Sequence, residues 1–286
     1  MSDAMLMKGH KWRDKAHKMV YPAWAEVKTD EIRCRVVVTP QGPEWPVTFL
    51  SFAEKPLYNL ERFAQCFRVV ADMTGHYEFD TGFHATTFDN TYRWVRSSKG
   101  LKADIDQSNP MFILFDLPMH GGTFQARCEA RHQVCTLAQA FGFNMTPPQG
   151  WWVYTPEDVD DLFLSVREVG LEGLMVKTLD HRYERGKRTN GWLKVKPEDD
   201  ADGKIIEINR AIAEDGTPHN RAGSITVELE DGSIAQPAGL EHGLAAEMWA
   251  HPEKYIGQWV EFVYMERDRQ GGYRHPSFRR LREAKE

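Results

Sequence analysis

LEGLMVKTLDHRYERGKRTNGWLKVK, residues 171–196, is the stretch on which the reading of this chain turns. Two apolar runs, Leu171–Val176 and Trp192–Val195, bracket a polar connector that holds five lysines and arginines. Alternation with a period of two is strand behaviour, and Asn190-Gly191 reads as a turn. The spacing therefore predicts a strand pair that brings Glu172, Lys177, Lys194 and Lys196 to one place. Lys194 and Lys196 stand two apart, so on a strand they share a face. Two neighbouring ammonium groups repel unless an anion lies between them, and phosphate is the natural anion. An isolated Lys-x-Lys is more often a solvated strand face; the adjacent Glu172 and the apolar interleaving weigh against that here.

The chain has 286 residues, 41% hydrophobic and 27% charged, a composition of soluble globular proteins with one large core or two moderate domains. No apolar run approaches a membrane span, and residues 1–18 have no apolar signal core. Cys34, Cys66, Cys128 and Cys135 form no Cys-x-x-Cys pair. The expectation is a disulfide-free cytoplasmic protein. The net charge of −6 argues against indiscriminate nucleic-acid binding, but a local basic groove is compatible with it. Basic clusters at 8–18, 182–188 and 274–282 would, if gathered on one side, make a footprint for a phosphate backbone.

Outward from the opening stretch, residues 1–20 read as a basic helical arm, and Trp24–Lys28 and Ile32–Val38 read as strands. Lys28 at a strand end, with Asp30 two residues on, has the makings of a nucleophile, although among 36 lysines and arginines a single lysine is by default a surface one. Leu57–Val70 reads as a helix, Phe79–Phe83 as a turn and Met111–Asp116 as a buried strand. Phe124–Phe141 fits a helix with Phe124, Cys128, Leu137 and Phe141 as its apolar stripe. Thr155-Pro156-Glu157-Asp158 starts another, which Gly170 is placed to end. Pro197–Gly203 reads as an acidic linker, and beyond it short strands with one helix suit a small closed barrel of the oligonucleotide-binding kind.

Taken in order, EVKTDEIR at 26–33, FILFDL at 112–117, EGLMVK at 172–177 and WLKVK at 192–196 resemble the ATP-dependent DNA ligases, members of the covalent nucleotidyltransferases. The short ligases of tailed bacteriophages are the nearest likeness, through residues 183–203 and 263–278. The resemblance implies an α/β (α+β) nucleotidyltransferase (adenylation) domain over 1–200, followed by a C-terminal all-β OB-fold domain over 201–286. It implies a monomeric enzyme that uses ATP and Mg2+ to seal nicked double-stranded DNA. Lys28 is then the nucleophile that becomes lysyl-AMP, with Asp30, Lys194 and Lys196 in the catalytic set. Glu26, Val27, Arg33, Phe115, Glu172 and Lys177 complete the nucleotide site with these lysines: Glu26 near the adenine, Phe115 stacked on it, Glu172 holding the metal. DNA contacts fall to Arg33, Arg182, Arg185, Lys187, Arg274 and Arg279. A phosphoryl-transfer transition state spreads charge over its oxygens, so lysines and a metal around the α-phosphate are what the chemistry requires.

Three positions depart from the family pattern. Glu31 stands where glycine is usual, Phe52 near where a basic residue is usual, and Asp80-Thr81-Gly82 replaces aspartate-glycine-glutamate, which puts Gly82 at the glutamate's place. These positions serve the ribose, the metal and the 5′-phosphate, so the changes imply weakened catalysis or replacement by groups such as Glu78 or Glu31. The rival readings are an RNA ligase or capping-type nucleotidyltransferase, and a non-catalytic nick-binding relative. Retention of Lys28, Glu172, Lys194 and Lys196 argues against the last.

Overall fold

The structure, a computed structural model, describes residues 5–42, 44–197, 199–213, 215–265, 267, 271–273 and 275–282. The chain divides into two compact units, Met1–Val195 and Lys196–Glu286.

The first unit is built on two five-stranded sheets. One runs Lys8–Lys11, Arg188–Val195, Gly173–Thr178, Ala23–Lys28, Gly150–Val153 in spatial order. The other runs Val47–Ser51, Ile32–Val38, Glu78–Ala85, Pro110–Asp116, Met145–Thr146. The chain crosses from the first sheet to the second through the short link Thr29-Asp30-Glu31, so Lys28 ends a strand of one sheet and Arg33 is the second residue of a strand in the other. Each sheet has its own core. Val27, Leu174, Val176 and Leu193 pack beneath the first, with Val159 and Val166 of the helix Pro156–Glu168. Phe67, Phe79, Phe83 and Phe112 lie at the centre of the second, with Val134 and Ala138 of the helix Phe124–Ala140. The helix at 156 starts as the sequence predicts: Thr155 and Asp158 form a reciprocal capping box, and Gly170 follows its end with φ 81°.

Several local expectations are corrected. Residues 8–11 form a strand, and only Trp12–Lys15 and the 3-10 turn Ala16–Lys18 are helical. The helix expected at Leu57–Val70 is Ala64–Thr74, and Phe88–Arg96 is a further helix. Phe79–Phe83 is not a turn but the middle of the strand Glu78–Ala85, paired on both sides. Asn190-Gly191 likewise lies inside a strand, and residues 179–187 make the connection. The helix Phe124–Ala140 turns Arg127 and Arg131 inward and leaves Phe141 exposed at its end, so the buried stripe lies off the one read from apolar residues alone.

In the second unit the spatial strand order is Ile234–Ala235, Pro218–Glu228, Asp199–Ile212, Trp259–Tyr264, Ser277–Leu281. Ala238 bridges to Ser224 and to Ser277, linking an edge strand back to the opposite side of the sheet, so the sheet closes on itself. Ile225, Val227, Val260 and Phe262 fill the interior with Ala245 and Met248 of the helix His242–Ala250. The acidic segment read as a linker is mostly ladder, because Asp199–Gly203 already pairs with Val260–Tyr264. Among the described residues no helix is long and apolar enough to cross a membrane.

Candidate active site

A cavity of about 410 Å3 opens in the first unit between the two sheets. Its walls carry six cationic side chains, Lys8, Lys28, Arg33, Lys177, Arg188 and Lys194, against two carboxylates, Glu26 and Glu31. Phe52, Phe115 and Trp192 supply aromatic surface, and Val27 and Met175 apolar surface. Such a lining selects an anionic ligand with a flat apolar part.

Lys28 ends its strand opposite Gly173, one residue from Glu172, and its Nζ is in contact with Glu172 Oε2. The two side chains keep 21% and 18% of their surface open, so the amine is held yet reachable. Lys194 pairs in register with Met175 on the next strand and faces the same cavity. Phe115 presents its ring from the strand Pro110–Asp116, and its carbonyl accepts from Arg131 Nη1 at 2.9 Å and Lys177 Nζ at 3.1 Å.

Beneath this layer lies a sealed ionic cluster. Glu26 is 2.6 Å from both Lys177 Nζ and Arg131 Nη1, and Arg127 Nε donates to Asp116 Oδ1 at 2.6 Å. Glu26 Oε1, although close to Arg131, has no hydrogen bond of good geometry. Burial pushes the Lys177 ammonium below its ordinary range, while Glu26 pulls it back up. Lys177 Nζ also sits 4.3 Å from the centre of the Trp192 ring, which a cation favours.

Arg33 grips Asp80 with two bonds, Nε to Oδ1 at 2.9 Å and Nη2 to Oδ2 at 2.6 Å. Burial opposes its charge, but Asp80 outweighs that and holds the guanidinium above its ordinary range. Tyr183 donates to the same Asp80 oxygen at 2.8 Å and accepts from the amide of Met7 at 3.0 Å, tying the N-terminal strand to the site. That strand delivers Lys8, whose Nζ lies 3.9 Å from the centre of the Phe52 ring. Burial, then Arg188 and Arg33, push the Lys8 ammonium below its ordinary range. Phe52 itself carries no charge, but it lies beneath the ammonium of Lys8.

Of the residues singled out in the sequence, Glu26, Val27, Lys28, Arg33, Phe115, Lys177 and Lys194 line this cavity, and Glu172 touches Lys28. Asp30 is not brought in: it is exposed and does not line the cavity. Lys196 opens the second unit. Arg182 and Lys187 are exposed, Arg185 is 2.6 Å from Glu78, and Arg279 is 2.9 Å from Glu261 in the second unit; Arg274 lies outside the described residues. Lys8, Arg188, Trp192 and Arg131 are the members that sequence reasoning missed. Lys8 and Arg188 sat within noted basic clusters, and Trp192 within WLKVK, but nothing local says that a basic cluster faces inward.

Residues 77–196 match the family model of the ATP dependent DNA ligase domain. The DNA ligase of Enterobacteria phage T3 is 34% identical over 138 residues, 46% of this chain and 38% of that protein. The chain's match thus spans about two fifths of the length of the curated phage relatives. A solved Lig E DNA ligase superposes with a TM-score of 0.68 at 18% identity, covering 99% of this chain and 100% of the other. The ATP-dependent DNA ligase of bacteriophage T7, solved in complex with ATP, superposes at 0.55 and 19%, covering 98% and 99%. At these identities the superpositions speak to the fold, which both chains share along nearly their whole length.

Proposed function

We propose, from the match of residues 77–196 to the ATP dependent DNA ligase domain and from the site described above, that the protein seals 5′-phosphate/3′-hydroxyl nicks in duplex DNA with ATP. The observation that carries the reading is Lys28, held against Glu172 at a strand end inside a cavity of six cations and two carboxylates. Lys28 Nζ attacks the α-phosphate of ATP; the N–P bond forms, the bond to pyrophosphate breaks, and the amine releases its proton. The AMP passes to the 5′-phosphate of the nick, and the neighbouring 3′-hydroxyl then displaces it. Lys194 neutralises the α-phosphate from the facing strand, and Lys8 and Arg188 extend the positive wall toward the remaining phosphates. Lys196 joins Lys194 in this reading. Phe115 offers its face to the base, and Glu26, which also lines the cavity, lies at that end of the site.

No group of three His, Cys, Asp or Glu side chains able to hold a metal exists among the described residues. Mg2+ binds through one or two carboxylates together with substrate phosphates. Glu172 is the carboxylate nearest the reacting amine, and the ion would supply further neutralisation of the phosphoryl oxygens. We read the closed five-stranded sheet of the second unit as an OB-fold that, with Arg279, contributes to DNA binding. Arg33, Arg182, Arg185 and Lys187 are the corresponding DNA contacts of the first unit. The test is nicked duplex DNA with ATP and Mg2+: sealed strand and stoichiometric AMP support the reading. Sealing confined to nicked RNA, or binding of the nick without any AMP transfer, overturns it.

A further inference from the structure

We infer that Glu31 is the carboxylate that recognises the sugar of the nucleotide, seated in a space that Gly82 leaves open. The inference rests on the cavity being a nucleotide site. A Cβ built at Gly82 would lie 2.2 Å from Glu31 Cγ and 2.7 Å from Phe115 Cζ. Gly82 is not among the residues with positive φ, so its backbone would accept any amino acid; space alone demands glycine there. Glycine inside a strand costs stability relative to a β-former, and it marks a site of close approach. What approaches is the Glu31 side chain, which crosses from the inter-sheet link over the strand Glu78–Ala85.

The carboxylate is held there, accepting from Thr29 Oγ1 at 2.6 Å, and both residues line the cavity with Lys28. It thus shares the space over Gly82 with the Phe115 ring, and Lys28 is close enough to act on its charge. A nucleotide with its base on Phe115 and its α-phosphate at Lys28 has its sugar between the two. A carboxylate has only acceptors, and the vicinal 2′- and 3′-hydroxyls of a ribose are paired donors. Burial raises Glu31 above the ordinary carboxylate range, with Lys28 and Thr29 pulling the other way; further donors would stabilise its charged form. Positions 31 and 82 also depart from the family pattern in opposite directions, glycine to glutamate and glutamate to glycine. In this chain the carboxylate comes from the inter-sheet link at position 31, and the space it fills is left by Gly82 on the strand Glu78–Ala85.

The experiment compares initial rates of covalent adduct formation with ATP and with 2′-deoxyATP. The parent protein should prefer ATP by about tenfold or more, since a site built to bond a hydroxyl discriminates against its absence. Glu31→Ala should collapse that ratio toward one, lowering the ATP rate much more than the deoxyATP rate. Gly82→Glu should lose adduct formation by collision with Glu31, and the double exchange E31G/G82E should recover both the adduct and the preference for ATP. Equal losses with both nucleotides in Glu31→Ala would overturn the inference, as would an unchanged ratio accompanied by a raised Mg2+ requirement. If the double exchange does not fold, the Glu31→Ala ratio decides alone. No adduct with either nucleotide in the folded parent would instead refute the nucleotide-site reading itself, a result distinct from an unchanged ratio.

Discussion

Two lysine–glutamate pairs lie against the same cavity and differ in how much water reaches them. Lys28 and Glu172 keep 21% and 18% of their side-chain surface open, whereas Lys177 and Glu26 keep 1% and 2%. The chemistry of the four groups is the same, so burial sets the roles. An accessible pair can part, release an amine and accept a phosphate in its place. A sealed pair cannot part without stranding a charge in a medium that solvates it poorly, so with Arg131 it acts as a fixed floor below the reactive layer. The sealed floor is also wired to the ligand wall: Lys177 and Arg131 both donate to the carbonyl of Phe115, which fixes the strand that presents its ring.

The contrast can be broken by substitutions in each layer. Lys28→Ala should abolish adduct formation, by about three orders of magnitude or more, since the nucleophile itself is lost. Its effect on unfolding free energy should stay within about 1 kcal/mol, the range of a partly exposed pair. Lys177→Met should do the reverse in emphasis. Chemical denaturation should show a loss of about 3 kcal/mol, because Glu26 is left buried with only Arg131 to oppose it. A Lys177→Met protein as stable as the parent would remove the distinction between the layers.

Glu172→Gln sharpens the comparison within the upper pair. It should slow adduct formation by about ten- to a hundredfold in single-turnover measurements, with thermal stability near the parent's. The smallest effect expected concerns Glu31. Its folded pKa lies above the ordinary 4.5, so the native state favours the protonated carboxyl. That contribution to stability is present below 4.5 and is lost as pH rises through the raised value. At neutral pH the charged group is therefore a burden, and Glu31→Gln should raise the melting temperature by about 1–2 °C near pH 7. The difference should shrink toward pH 4. A melting temperature lowered at pH 7 would show that Lys28 and Thr29 outweigh burial at this carboxylate.

The parts of the site legible in the sequence were those in which a charged residue ends or interrupts an apolar strand, as Lys28, Glu172 and Lys194 do. Their strand neighbours announce both the element and its direction. Asp80-Thr81-Gly82 misled because its composition is that of a turn, while its conformation is set by partners on both sides. Arg33, from the neighbouring strand, neutralises the aspartate, and Gly82 answers to Glu31 rather than to a bend. Arg127 and Arg131 lie outside the apolar stripe read from the sequence, because burial of an arginine depends on a distant acid, here Asp116 and Glu26. Lys8 was least accessible to inference: it reaches the cavity only because its strand pairs, parallel, with Arg188–Lys194. The departures at 31, 52 and 82 were visible in the sequence, but the proximity of Glu31 to Gly82 and of Lys8 to Phe52 is a property of distances that local sequence does not carry.

The claim on which the rest depends is that one amine in the open layer receives the nucleotide. Peptide mass spectrometry after incubation with ATP and Mg2+ tests it most directly. The account predicts a single AMP adduct on the peptide carrying Lys28, discharged when nicked DNA is added; an adduct on Lys194 or another lysine, or none on the folded protein, would contradict it.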